Sequence, residues 1–236
     1  MEQLVREAAR LGIAITEAQA QQYARYQALL LAWNAHVNLT AIREPALMQT
    51  KHFLDSLTCV TVMGKLDGMT LLDVGTGAGF PGLPLKILFP ELRVTLVESV
   101  VKKTRFLQAV VAELGLTQVQ VVAERAESLG QQPAYREQYD WVVARAVAEL
   151  RVLLEYLLPF CRVGGHVLAQ KGEGVFAETA VADHALHILG GGRPQVHEVV
   201  LAGDVGPRYL VVVPKIAPTP AQYPRRPGMP AKRPLS

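Results

Sequence analysis

Thr70-Leu71-Leu72-Asp73-Val74-Gly75-Thr76-Gly77-Ala78-Gly79-Phe80-Pro81 runs from an apolar segment through three closely spaced glycines into a helical pattern. Thr70 to Val74 reads as a buried strand, and Pro81 suits the first turn of a helix, where its missing N–H costs nothing. Glycines between a strand and a helix let the backbone turn sharply and let a ligand approach the main chain. In open parallel sheets, ligands sit at the carboxyl ends of the strands.

The texture around this stretch sets the fold class. Downstream, Arg93–Glu98, Gln118–Ala123, Tyr139–Ala144 and Gly165–Lys171 read as further strands. Val100–Leu114 and Leu150–Phe160 read as helices, the first stopped by Gly115. Gln195–Leu201 and Arg208–Val213 fit a closing antiparallel pair. Alternation of apolar strands with helices predicts an α/β fold. The expected architecture is a mostly parallel, seven-stranded, Rossmann-like sheet. Upstream the pattern is helical to about Leu66. Thr16 and Gln19 form a capping box, followed by Tyr23, Tyr26, Leu30 and Trp33 at helical spacing. Trp33 reads as core. After Val213, proline recurs from Pro214 to Pro234, which predicts an extended tail without helix. The expected organisation is a helical cap (1–66), a cofactor-binding core (67–214) and a basic proline-rich tail (215–236).

Two ligand classes compete for the glycine loop. Gly77-x-Gly79-x-x-Gly82 matches a dinucleotide fingerprint, with Glu98 placed to bind a ribose. That keeps an NAD-dependent oxidoreductase open. S-adenosylmethionine uses more of the residues. It carries an ammonium and a sulfonium, so acids near the loop make sense. Asp73 is expected to orient the loop or face the amino-acid end, and Glu98 to accept from the ribose hydroxyls. Ala126 and Glu127, after the third strand, are expected to line the adenine.

The 236 residues carry a formal charge of +3. Lys215, Arg225, Arg226, Lys232 and Arg233 face no acid between 215 and 236, leaving the rest slightly acidic. Such a tail is either a phosphate-contacting arm or a solvated terminus. No run is apolar enough to span a bilayer, and the first residues lack the order of a signal peptide, so the cytoplasm is expected. Cys59 and Cys161 read as reduced core thiols, and no cysteine or histidine cluster suggests a metal.

Several longer strings carry a family resemblance. They are Trp33-Asn34-Ala35-His36-Val37-Asn38-Leu39-Thr40, Lys51-His52-Phe53-Leu54-Asp55-Ser56, the glycine loop, Ala144-Arg145-Ala146-Val147, Gln170-Lys171-Gly172 and Tyr223-Pro224-Arg225-Arg226-Pro227-Gly228. The chain resembles the glucose-inhibited division protein B family, RsmG, which methylates N7 of a guanosine in bacterial 16S ribosomal RNA. The resemblance implies S-adenosylmethionine as cofactor and the small ribosomal subunit as partner, with no membrane and no obligate protein partner evident. It implies that Gly75 and Phe80 meet the cofactor's methionine end, that Ala126 and Glu127 meet its adenine, and that Arg145 sits beside the cofactor at the reaction centre; Gly77, in the same loop, is also expected to bind the cofactor. Arg125 and Arg208 match arginines expected near RNA or cofactor. Where most members carry Asp after the second strand, this chain has Glu98, with the same charge and a longer reach.

The residues agree with that chemistry. Guanine N7 has a lone pair and no proton, so its methylation needs alignment and exclusion of water rather than a general base. No Asn/Asp-Pro-Pro-aromatic motif follows the fourth strand, and no cysteine for covalent attack. Arg145 is expected to stack on the base or donate to its O6; the competing reading is an ion pair with Asp140 or Glu149. Lys171, ending the fifth strand, is a candidate RNA contact, as are Arg225 and Arg226 in the tail. Lys102, Lys103 and Arg105 are either phosphate contacts or a solvated helix face. His52 and Asp55, i,i+3 neighbours, are either catalytic or brace the cap against the sheet, and bracing is the favoured reading. A non-catalytic ribosome-assembly factor with a relict pocket is the other alternative.

Overall fold

The computed structural model describes residues 1–201 and 206–235. Residues 202–205, within the expected core, and Ser236, ending the expected tail, lie outside the described residues.

The chain begins with α1 (Glu2–Arg10) and α2 (Glu17–Asn34). The capping box of α2 is formed as expected, with Thr16 and Gln19 satisfying each other's backbone N–H groups. A broken helix follows: α3 (Pro45–Met48), a π-helical segment (Gln49–Leu54), α4 (Asp55–Leu57) and α5 (Val60–Met63). The core alternates β1 (Thr70–Val74), α6 (Gly82–Leu88), β2 (Arg93–Val97), α7 (Val101–Glu113), β3 (Val119–Val122) and α8 (Ala126–Leu129). It continues through β4 (Tyr139–Arg145), α9 (Leu150–Leu157), β5 (Cys161–Lys171), α10 (Val175–Ala180), α11 (Asp183–Leu189), β6 (Gln195–Val199) and β7 (Arg208–Pro214). α6 starts at Gly82, so Pro81 caps it instead of occupying its first turn.

The seven strands form one sheet in the order β3-β2-β1-β4-β5-β7-β6. Only β7 runs against its neighbours. Both faces of the sheet are covered, which is why its central strands are apolar without alternation. Leu71, Trp141, Val143 and Leu168 join an apolar layer with α2, α6 and α7. Leu72, Val142, Ala144, Val167 and Ala169 join a second layer under α9 and α11. Each fully buried side chain of this size stabilises the fold by roughly 1.5–3 kcal/mol. From the centre of the sheet, β1 leads outward to β2 and β3, while β4 leads the other way to β5. The crevice between the carboxyl ends of β1 and β4 is therefore a switch point of the topology.

The tail departs from the extended arm expected of it. A short helix, α12 (Met229–Lys232), forms within it, and Pro224, Pro230 and Leu235 are buried. Lys215 is buried too, its Nζ donating to the carbonyls of Leu158 and Leu189, both at 3.0 Å. Arg136 holds the carbonyls of Tyr223 at 2.7 Å and Thr219 at 2.6 Å. Arg225, expected to contact RNA, instead forms an ion pair with the fully buried Glu155, Nη2 to Oε2 at 2.6 Å. The prolines end regular structure, but charge pairing and carbonyl capture dock the segment on α9. Neither Lys215 nor Arg225 is free to hold phosphate.

Candidate active site

β1 ends in the turn Gly75–Gly79, in which Gly75 and Gly77 take φ of 65° and 62°. Residues with side chains rarely adopt that left-handed conformation, so glycine is required. Asp73 ties the turn together. Its Oδ2 accepts from Thr76 Oγ1 at 2.7 Å and from the Gly82 N–H at 2.8 Å. Its Oδ1 is buried with no hydrogen-bond partner among the described residues. Burial pushes the Asp73 carboxyl up to about 7, against the lowering pull of Thr76, the Gly82 N–H and Arg145. Glu98 braces the turn from the end of β2: Oε2 accepts from Gly77 N at 3.1 Å and Oε1 from Val100 N at 2.8 Å.

Beside the turn lies a cavity of about 230 Å³ walled by Val74, Gly75, Val97, Ala126, Glu127 and Val147. Glu127 Oε1 accepts from the Gly228 N–H at 2.9 Å, so the docked tail holds one of the side chains that wall this cavity. Arg125, also at its rim, is exposed and lies 3.7 Å from Glu127. Val147 covers the turn so closely that a Cβ on Gly75 would lie 2.9 Å from its Cγ2. The cavity is smaller than a site for a whole drug-sized ligand. A ligand extending past Gly75 has to displace Val147.

A second cleft, of about 420 Å³, is lined by Arg145. Arg145, the last residue of β4, is fastened from the cap. Its Nη1 donates to Asp55 Oδ2 at 2.9 Å and to the Lys51 carbonyl at 3.2 Å. Its Nη2 lies 3.4 Å from His52 Nδ1. The guanidinium carbon sits 5.0 Å above the centre of the Phe80 ring. His52 stacks on that same ring at 4.7 Å, and Tyr26 stacks on it at 5.4 Å. Burial, then the Arg145 charge, push the His52 imidazole down to about 4, so it is neutral at physiological pH.

Asp73, Gly75, Gly77, Glu98, Arg125, Ala126 and Glu127 thus gather around the glycine turn and its cavity. Arg145, Lys171 and Arg208 line the second cleft. The ion partner of Arg145 is Asp55; Asp140 and Glu149, the partners considered from sequence, pair with Arg162 and Arg151. Lys171 donates to Glu178 and to the Ala148 carbonyl, each at 2.6 Å. The Phe80 ring is enclosed by Tyr26, Phe53 and His52, so it supports the site from beneath. Arg226 is exposed on the tail. His52 and Asp55 brace the cap against the end of β4 through Arg145, and with Gln170 they also line the cleft, where they were not expected. Their i,i+3 spacing presumes α-helix, whereas the chain there is π-wound, a feature frequent at functional sites. A larger cleft, about 620 Å³, lies at the amino ends of β4 and β5 and holds none of these residues.

The family model of GidB, rRNA small subunit methyltransferase G, matches residues 19–203. The chain belongs to this family. The ribosomal RNA small subunit methyltransferase G of Roseiflexus castenholzii is 54% identical over 235 residues, covering 100% of both chains. That of Pelotomaculum thermopropionicum is 50% identical, covering 98% of this chain and 97% of its own. A SAM dependent methyltransferase from Aquifex aeolicus shares the fold, with a TM-score of 0.51 at 21% identity over 72% of this chain and 93% of its own. Membership in the GidB family makes the chain a methyltransferase with S-adenosylmethionine as cofactor, and it closes the dinucleotide reading. The residues present fit that cofactor. A glycine cradle, an apolar cavity suited to a ring and an unpartnered buried carboxylate oxygen answer its amino-acid, adenine and cationic parts.

Proposed function

We propose that the chain methylates N7 of a guanosine in the 16S ribosomal RNA of the small ribosomal subunit, in the cytoplasm. The observation that carries this reading is Arg145, fixed at the switch point between the glycine turn and an open cleft. S-adenosylmethionine, when bound, supplies an electrophilic methyl on its sulfonium. The chain supplies position. Asp73, Gly75 and Gly77, with the Phe80 ring beneath them, hold the methionine end, Glu98 the ribose, and Ala126 and Glu127 the adenine. Arg145 borders both ligands. Lys171 and Arg208 flank the cleft, and Arg125 and Arg226 extend the cationic surface towards the RNA backbone. The acids nearest the cleft are in ion pairs, and a nitrogen that carries no proton needs no base.

The deciding experiment incubates the protein with methyl-labelled cofactor and small subunits lacking the modification. Label is expected at one guanosine of 16S RNA, at N7. Absence of label returns the chain to an assembly factor, and label on an exocyclic amine removes the N7 assignment.

Asp73 supplies a second test. Its carboxyl titrates near 7 because it is buried, and a cationic ligand favours the ionised form. Cofactor binding is therefore expected to release protons around and below neutrality, with affinity falling as pH drops through that value. Calorimetry in two buffers of different ionisation enthalpy checks this. Identical heats in both, or a buffer dependence that persists in Asp73→Asn, would refute it.

A further inference from the structure

Two buried acceptors in the second cleft have no hydrogen-bond partner among the described residues: Asp55 Oδ1 and Gln170 Oε1. Both residues are more than nine-tenths buried. Leaving such an atom unpaired costs about 1–3 kcal/mol, so the pair calls for donors. The amide orientation of Gln170 is fixed, because its Nε2 donates to the Asp55 carbonyl at 2.8 Å. Its oxygen is therefore the free end. Asp55 is fixed as well, its Oδ2 held by Arg145 at 2.9 Å. Arg208 Nε lies 3.5 Å from Asp55 Oδ1, close enough to attract it, without forming a hydrogen bond.

We propose that Asp55 and Gln170 are specificity residues that read the donor edge of the guanine, Asp55 Oδ1 accepting from N1–H and Gln170 Oε1 from the 2-amino group. This rests on the reading of Arg145 as the residue beside the target base. The pattern is complementary. Asp55 and Arg145 are joined, so they present an acceptor next to a donor. Guanine presents N1–H next to O6, a donor next to an acceptor. Adenine presents the reverse, an amino group next to a bare N1, and would set donor against donor and acceptor against acceptor. N7 lies on the far side of the purine from the 2-amino group. Gripping N1 and the 2-amino group therefore leaves N7 free. The same pairing satisfies both orphaned acceptors. The Asp55–Arg145 pair thus aligns the base in addition to tying cap to sheet.

The test crosses protein variants with target bases. Small subunits are reconstituted with guanosine or inosine at the target, inosine lacking only the 2-amino group. The wild-type protein is expected to prefer guanosine by about tenfold in kcat/KM, the loss of one hydrogen bond to a buried acceptor. Gln170→Met is expected to bring that ratio close to one. Asp55→Asn is expected to lower kcat/KM on both bases by about tenfold or more while leaving cofactor affinity within about twofold. A variant that merely loosens the fold lowers both bases alike and keeps the ratio, so an unchanged ratio in Gln170→Met overturns the proposal. So does a wild-type protein indifferent to the 2-amino group, or Asp55→Asn at wild-type rate. If the wild-type protein labels neither base, the underlying functional reading fails instead.

Discussion

Arg145→Ala is expected to lower kcat/KM for methyl transfer by about 10²–10³-fold, the scale of losing one preorganised charged donor at a reaction centre. On the proposed reading, the substitution removes the group that borders both ligands. It also frees Asp55 Oδ2 and the Lys51 carbonyl, so some stability is lost as well, about 1–3 kcal/mol. Turnover measured well below the melting temperature separates the two effects. Arg145→Lys is not expected to rescue, because a single ammonium cannot reach Asp55, the Lys51 carbonyl and the base together. Wild-type turnover in either variant would remove Arg145 from the reaction centre.

The largest effect on stability is expected at the other end of the chain. Arg225→Ala leaves the carboxylate of Glu155, fully buried on α9, without its guanidinium. Losing one member of a buried pair costs roughly 3–5 kcal/mol. For a chain of this size each kcal/mol shifts Tm by about 2–4 °C, so the loss is on the order of 10 °C. Replacing both partners with apolar residues, Glu155→Leu with Arg225→Met, is expected to recover most of it, since neither charge is then stranded. A scanning calorimeter reads both. A melting temperature unmoved by Arg225→Ala would show that the tail adds nothing to the fold.

The core was legible because its strands are buried on both faces. Runs such as Leu71-Leu72-Asp73-Val74 and Trp141-Val142-Val143-Ala144 have no reading other than interior strand once helices alternate with them. Their observed bounds differ from the expected ones by a few residues at most, as at Cys161 in β5. The placement of the turn residues and Arg145 at strand ends was legible, because topology gathers such positions on one edge of the sheet. The tail was misread because its anchors lie far away in sequence, Arg225 on Glu155 and Gly228 on Glu127. Leu150–Leu157 hides the signal: Arg151 and Glu155, spaced i,i+4, read as a surface pair, whereas Arg151 pairs with Glu149 and Glu155 is buried. The partnership of His52 and Asp55 with Arg145 could not be read from helical spacing, because the π-wound segment changes which residues share a face. Orphaned acceptors such as Gln170 Oε1 depend on what other chain segments fail to offer, and no local pattern records that.

The Phe80 ring follows directly on the glycine turn proposed to hold the cofactor, and it is also the surface on which Arg145 and His52 rest. A shift of that ring when one ligand arrives is felt by the groups that meet the other. Coupling of this kind is a free energy shared by two sites, and it acts equally in both directions. Whatever factor the cofactor contributes to the grip on RNA, RNA must return to the grip on the cofactor. In the proposed transfer to N7, the charged sulfonium becomes a neutral thioether and the guanine becomes a cation. Both ligands then differ from those that met across the ring, so turnover itself resets the shared affinity.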